Sequence, residues 1–265
     1  MNKALHNLVR VVAEDGPRHG VVIEEHVYRL EGDPFGEWNR GGLIGRLDEL
    51  PLLAPVVPTK IVCVGRNYPA HVAEHGEAVP EEPLLFFKPP SAVIGPGAAI
   101  RLPPQSEQVD YEAELAVVIG RRCRDVQPEE AWDYVLGVTC GNDVTARDLQ
   151  RRDDHWTRAK GFDTFCPLGP WMVTGLRGED VADLKVACRV NGELRQAGRT
   201  SEMAFSPTEL IAYTSAIMTL EPGDVIMTGT PEGVGPLTAG DVVEVAVQGI
   251  GVLRNPVWSA GSGGS

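Results

Sequence analysis

Between Val109 and Gly120 the chain reads VDYEAELAVVIG, in which Tyr111, Ala113, Leu115, Val117 and Ile119 alternate with other residues. Period-two alternation marks a β-strand, whose successive side chains point to opposite faces. One face is apolar and core-forming; the other carries Asp110, Glu112 and Glu114 in succession. Shorter patterns of the same kind occur upstream in NLVRVVA, HGVVIEE and HVYRLEG, separated by Gly, Pro and charged turns. They end in the proline-punctuated LPLLAPVVPTK. Residues 1–55 therefore read as a small N-terminal β domain, 56–258 as a large domain, and 259–265 (its last residues GSGGS) as a flexible tail resembling a linker scar.

Helical periodicity is sparse. SPTELIAYTSAIMTL is the clearest helix, with Ser206 and Glu209 spaced as a capping box and Pro207 at the first helical position. VQPEEAWDYVL starts a second, with Pro128 followed by Glu129 and Glu130 at the positive end of the helix dipole. The closing segments GDVIMTGTPEGVG and AGDVVEVAVQGIGVLRNPV read as strands between glycine turns. Strict βαβ alternation is missing, so the class is α+β, β-rich, with mixed sheets.

Composition narrows the function. The formal charge of −13 and pI near 4.9 lack the basic footprint that nucleic acid requires, so no nucleic-acid partner is expected. No opening segment reads as a signal peptide and no stretch approaches the ~18 apolar residues of a membrane span, which predicts a soluble chain with no membrane partner. Five cysteines are scattered at 63, 123, 140, 166 and 188 without paired spacing. That pattern is neither a disulfide framework nor a zinc knuckle, and it suits a reducing cytoplasm.

The acidic strand face calls for an explanation. A solvated face is the plain alternative, but Asp and Glu are poor strand formers and adjacent like charges repel. No Lys or Arg is interleaved to relieve them. A divalent cation would convert repulsion into coordination, and oxygen ligation favours Mg²⁺, Mn²⁺ or Ca²⁺ over zinc. Asp143, in GVTCGNDVTARDLQRRD, is either a helix cap or a third carboxylate ligand. Three such ligands leave positions open for a chelating substrate.

His71, Glu74 and His75 spell H-x-x-E-H, a zinc-peptidase signature. Pro69 and Gly76 confine that helix to barely two turns, a poor platform for two ligands. The other use of the segment needs only His71 and Glu74, which share a face at a spacing of three and form a candidate general base acting on water. Their plain reading is a short polar surface helix. Arg66, Lys88, Lys160 and Thr230 are candidate anion-binding residues, and TGTPEGVG offers the Gly229 and Gly233 N–H groups to a carboxylate. Each is weak alone, since a lone Lys is usually a surface charge and TGTPEG is first a turn.

Taken together and in order, GRNYPAHVAEHG, FFKPPSAVIGPG, DYEAELAVVIG, GNDVTARDLQ, RAKGFDTFCPLGPW and GDVIMTGTPEGVG resemble the fumarylacetoacetate hydrolase family, over Lys60 to Val257. The N-terminal region is similar to the small domain of bacterial members. The resemblance implies a β-roll of mixed sheets, usually a homodimer, with Mg²⁺ or Mn²⁺ on Glu112, Glu114 and Asp143 and with Asp110 outside the shell. It further implies that Lys160 and Thr230 contact a small anionic 2-oxo acid, and that His71 and Glu74 form a lid dyad. Arg66, Tyr68 and the EHGEAVPEEP loop are candidate readers of the substrate's distal group. The expected reaction is carbon–carbon bond cleavage in a 2-oxo acid through a metal-stabilised enolate, by acylpyruvate-type hydrolysis or oxaloacetate-type decarboxylation. The alternative is isomerisation of a 2-hydroxy-dienoate dicarboxylate in aromatic-acid catabolism.

Overall fold

The computed structural model describes residues 4–74 and 76–259, so His75 and the tail from residue 260 lie outside the described residues. The architecture is β-rich, as the patterning predicts. One large mixed sheet runs, in spatial order, through strands Trp38–Arg46, His26–Gly32, Gly16–Ile23, His6–Ala13, Cys166–Thr174, Val135–Asn142, Ala113–Ile119, Val225–Met227, Ile61–Gly65 and Leu84–Lys88. A five-stranded sheet is built from Glu193–Arg199, Lys185–Val190, Val242–Val247, Gly251–Ser259 and Ile100–Leu102. A third, of three short strands, joins Thr145–Ala146, Val109–Tyr111 and Gly235–Pro236.

The four N-terminal strands form an antiparallel meander. It joins the main sheet where His6, Asn7 and Leu8 pair with Thr174, Val173 and Met172.

The strand Ala113–Ile119 sits at the centre and is covered on both sides. Leu115, Val117 and Ile119 enter the main core, while Ala116 and Val118 enter a second cluster with Ile61, Cys63, Val225 and Met227. The face that begins with acids is therefore no solvated surface: Asp110, Glu112 and Glu114 are 2%, 5% and 1% exposed. The alternation breaks at Glu112, which belongs to neither flanking strand. Its backbone N–H is taken by the Asn142 side chain and its carbonyl by the Asp143 N–H, both at 2.9 Å. That exchange closes the large sheet against the small one at the point where the acids gather.

The expected helix forms over Pro207–Ile217, and Ser206 and Glu209 cap it reciprocally. Such a capping box satisfies backbone donors that the first turn leaves open. All five cysteines are buried and free. Among the described residues no helix is long and apolar enough to cross a membrane.

Candidate active site

Glu112, Glu114 and Asp143 converge on one point, each offering a carboxylate oxygen within 4.8 Å of the others. Glu112 and Glu114 flank Ala113, the first residue of the central strand; Asp143 follows the neighbouring strand Val135–Asn142, where Ala113 pairs with Asn142. Adjacent antiparallel strands thus deliver residues far apart in sequence to one place.

The missing counter-charges come from elsewhere in the chain. Lys160 Nζ bridges Glu112 Oε2 at 2.9 Å and Asp143 Oδ2 at 2.7 Å. Arg147 binds Asp110 through Nε at 2.8 Å and Glu112 Oε1 through Nη2 at 2.5 Å. Thr145 also donates to Glu112 Oε1, at 2.9 Å. Lys88 Nζ donates to Asp143 Oδ1 at 2.5 Å and to the Val144 carbonyl at 3.0 Å.

Four buried carboxylates (Asp110, Glu112, Glu114, Asp143) face three buried cations (Lys88, Arg147, Lys160), one negative charge in excess. The excess falls on Glu114. Among the described residues no cation lies within ion-pair distance of it, and it accepts the Gly229 N–H at 2.7 Å. Burial, reinforced by the charges of Asp143 and Glu112, pushes the Glu114 carboxyl well above its ordinary range. For Glu112 burial acts upward as well, but Lys160 and Arg147 outweigh it and hold the group below that range. Burial disfavours the Lys160 ammonium, yet Asp143 and Glu112 raise it above its usual value.

These hard oxygen donors, with an uncompensated charge among them, fit a divalent cation such as Mg²⁺ or Mn²⁺.

The carboxylates open onto a cavity of about 400 Å³ that is also lined by Arg66, His71, Phe86, Trp156, Lys160 and Thr230. His71 stands on the helix Pro69–Glu74, with Nδ1 3.6 Å from Glu74 Oε2. Glu74 itself accepts the Gly233 N–H at 3.2 Å. Gly233 has a φ of +89°, and a Cβ there would collide with the Arg195 carbonyl, so the turn requires glycine.

Several sequence expectations are redistributed by the packing. The Gly229 N–H holds Glu114, not a substrate carboxylate, and the Gly233 N–H is taken by Glu74. Tyr68 is 1% exposed and does not line the cavity; its phenol is enclosed, and burial drives its ionisation far above the usual range. Lys88 lies behind Asp143, away from the cavity wall. Asp110 is held by Arg147 and stands outside the carboxylate triad. Arg66 reaches the cavity but is paired with Glu77, Nη2 to Oε1 at 2.6 Å.

Sequence reading missed Arg147, Gln150 and Arg151, all of which line the cavity. Their signal was present in NDVTARDLQRR, where a run of polar residues resembles an ordinary solvated helix. Arg147 is 5% exposed, and the need to neutralise two buried acids could have singled it out.

Residues 60–258 match the family model described as fumarylacetoacetate (FAA) hydrolase, C-terminal, and residues 7–55 match one described as Rv2993c-like, N-terminal. The chain is 46% identical over 218 residues to the mitochondrial oxaloacetate tautomerase fahd2 of Xenopus laevis, covering 78% of this chain and 68% of that protein. The solved structure of 2-hydroxyhepta-2,4-diene-1,7-dioate isomerase from Mycobacterium marinum superposes with a TM-score of 0.89 at 44% identity, covering 97% of this chain and 100% of that one. Fumarylpyruvate hydrolase from Pseudomonas aeruginosa, solved with Mn²⁺ and pyruvate, gives a TM-score of 0.71 at 34% identity, covering 76% and 90%. The motifs, the β-roll and the family match agree, and the chain belongs to the fumarylacetoacetate hydrolase family.

Proposed function

We propose that the chain catalyses proton transfer at the carbon next to the keto group of a small 2-oxo dicarboxylate, interconverting its keto and enol forms. The observation that carries this reading is that His71, with the Glu74 carboxylate 3.6 Å from its Nδ1, shares one cavity with the Glu112, Glu114 and Asp143 carboxylates and with Lys160. The resemblance to an oxaloacetate tautomerase and to a dienoate isomerase supports it, since both names describe relocation of a proton without loss of carbon.

Glu112, Glu114 and Asp143 would hold a divalent cation, which would supply Lewis-acid polarisation of the bound 2-oxo acid. The remaining work belongs to side chains. The Glu74 carboxylate lies 3.6 Å from His71 Nδ1, and closing that gap to a hydrogen bond when substrate binds would select the tautomer protonated there and leave Nε2 as the base. That base takes a proton from carbon 3; the electron pair of the broken C–H bond moves into the C2–C3 bond, and charge gathers on the 2-oxygen. The Lys160 ammonium, raised in pKa and fixed between two carboxylates, stabilises that charge without giving up its own proton, and the proton taken up by His71 passes through solvent to the 2-oxygen, which completes the enol. Thr230 offers a hydroxyl to the substrate's carboxylate.

The distal carboxylate is assigned to Arg151. Arg66 is neutralised by Glu77, and Arg147 by Asp110 and Glu112. Arg151 lines the cavity, is exposed, and makes no ion pair among the described residues.

A second reading, carbon–carbon bond cleavage, is favoured by the same His71–Glu74 pair, which is suited to deprotonating water, and by the similarity to a fumarylpyruvate hydrolase. The deciding experiment offers oxaloacetate and an acylpyruvate in D₂O with Mg²⁺ or Mn²⁺ and follows both by proton NMR. Deuterium entering carbon 3 of oxaloacetate faster than pyruvate appears is the expected result. Pyruvate formation at the rate of exchange transfers the function to cleavage.

A further inference from the structure

Gln196 lies outside the cavity, on the strand Glu193–Arg199 of the five-stranded sheet, and is 1% exposed. Its side-chain amide nevertheless makes three hydrogen bonds toward the site. Oε1 accepts the Ala113 backbone N–H at 2.9 Å. Nε2 donates to the Pro231 carbonyl at 2.7 Å and to Thr230 Oγ1 at 2.8 Å.

Two of these partners have fixed polarity. A backbone N–H only donates and a carbonyl only accepts, so the orientation of the amide is settled by Ala113 and Pro231 together. The bond to Thr230 then has one possible direction: Gln196 donates and the Thr230 oxygen accepts. A hydroxyl carries a single proton, and a donor already occupies one of its lone pairs. The proton of Thr230 is therefore left to point away from Gln196, and Thr230 lines the cavity.

We infer that Gln196 is a positioning residue that sets Thr230 as a hydrogen-bond donor to the substrate's carboxylate. The inference rests on the proposed 2-oxo acid function. The same amide ties Ala113, the residue between Glu112 and Glu114, to the Thr230 loop, so one side chain fixes the spacing between the carboxylate cluster and the anion-binding hydroxyl.

Polarity, not shape, is what Gln196 contributes, and Q196E tests it. A carboxylate accepts from Thr230, reverses the hydroxyl and turns oxygen lone pairs toward the incoming carboxylate. Pyruvate serves as the probe, its affinity for the Mn²⁺-supplemented protein measured by calorimetry in wild type, Q196E, T230V and the double variant, with circular dichroism to verify folding. Losing a hydrogen bond to a charged group weakens binding by about tenfold or more. Q196E is expected to reduce pyruvate affinity by at least that factor in the wild-type background and to change it less than twofold in T230V, which has no hydroxyl to reverse. Q196M, which removes the donor without adding charge, carries the same cycle if Q196E does not fold. Equal losses in both backgrounds, or no loss in either, overturn the inference while leaving the 2-oxo acid site standing. Failure of the wild-type protein to bind pyruvate overturns the proposed function and the role of Gln196 with it.

Discussion

The Glu74 carboxylate accepts the backbone N–H of Gly233 at 3.2 Å, joining the short helix that carries His71 to the loop that carries Thr230. The helix spans six residues, too short to be stable on its own, so this contact anchors it over the cavity. Glu74 thus has two separable tasks, a latch through hydrogen bonding and a charge 3.6 Å from His71. E74Q keeps an acceptor for Gly233 and removes only the charge. Its kcat is expected to fall by roughly tenfold to a hundredfold with an unchanged melting temperature, a part of the effect usual for a general base. Full activity in E74Q with loss in E74A would reduce Glu74 to a latch.

Lys160 is the buried cation shared by Glu112 and Asp143, and removing one partner of such a network costs about 3–5 kcal/mol because the charges left behind are uncompensated. K160M is therefore expected to unfold at clearly lower denaturant in the presence of a chelator. Mn²⁺ should recover much of that stability, since a bound cation supplies the missing positive charge. It should not recover turnover, because the ammonium facing the 2-oxygen is gone. Urea unfolding with chelator and with Mn²⁺ checks the first two statements and the exchange assay checks the third. Equal stability with and without Mn²⁺ contradicts the assignment of a cation to this cluster.

Glu114 fixes the pH dependence. Burial, with Asp143 and Glu112 nearby, raises its pKa above the ordinary 4.5, so without a cation the group keeps its proton into a range where free carboxyls are ionised. Cation binding requires the carboxylate and must displace that proton. Affinity should therefore rise with pH, up to tenfold per unit, and level off above the raised pKa. The same shift destabilises the cation-free fold as pH rises: its contribution is fully present below the unfolded pKa and is lost as pH climbs through the folded one. Calorimetry in two buffers of different ionisation enthalpy reads the released proton directly. E114Q should release none and bind Mn²⁺ weakly.

Much of this was legible in the residues. Alternation in DYEAELAVVIG identified the central strand, the implausibility of adjacent acids pointed to a cation, and the capping box of Ser206 and Glu209 located the longest helix. What remained hidden was long-range. Lys88 and Lys160 stood out only as candidate anion binders and Arg147 not at all, because all three are separated in sequence from the buried acids that they meet and nothing local marks a lysine or arginine as buried. Burial of the strand's second face depends on Ile61, Cys63, Val225 and Met227, which local periodicity does not connect to it. The backbone donors were misassigned for the same reason: glycine at 229 and 233 signals an unusual φ, but which carboxylate claims each N–H is decided by tertiary packing.

The role proposed for Arg151, reading the distal carboxylate, is tested by substrate length. Arg151 is the cavity-lining arginine that makes no ion pair among the described residues, and it is exposed, so its interaction with a ligand carboxylate is screened by salt. A contact of this kind contributes about 1 kcal/mol, roughly a fivefold change in apparent affinity. R151A is expected to raise KM for oxaloacetate by about that factor at low ionic strength, with the difference shrinking as salt is added and kcat held nearly constant. An acylpyruvate ending in a methyl group should show no change, because it has no distal charge to lose. R151E should deepen the effect for the diacid alone, since repulsion acts only where a second carboxylate is present. Parallel losses for both substrates would shift Arg151 from reading the distal group to shaping the cavity mouth, and the diacid would need another partner.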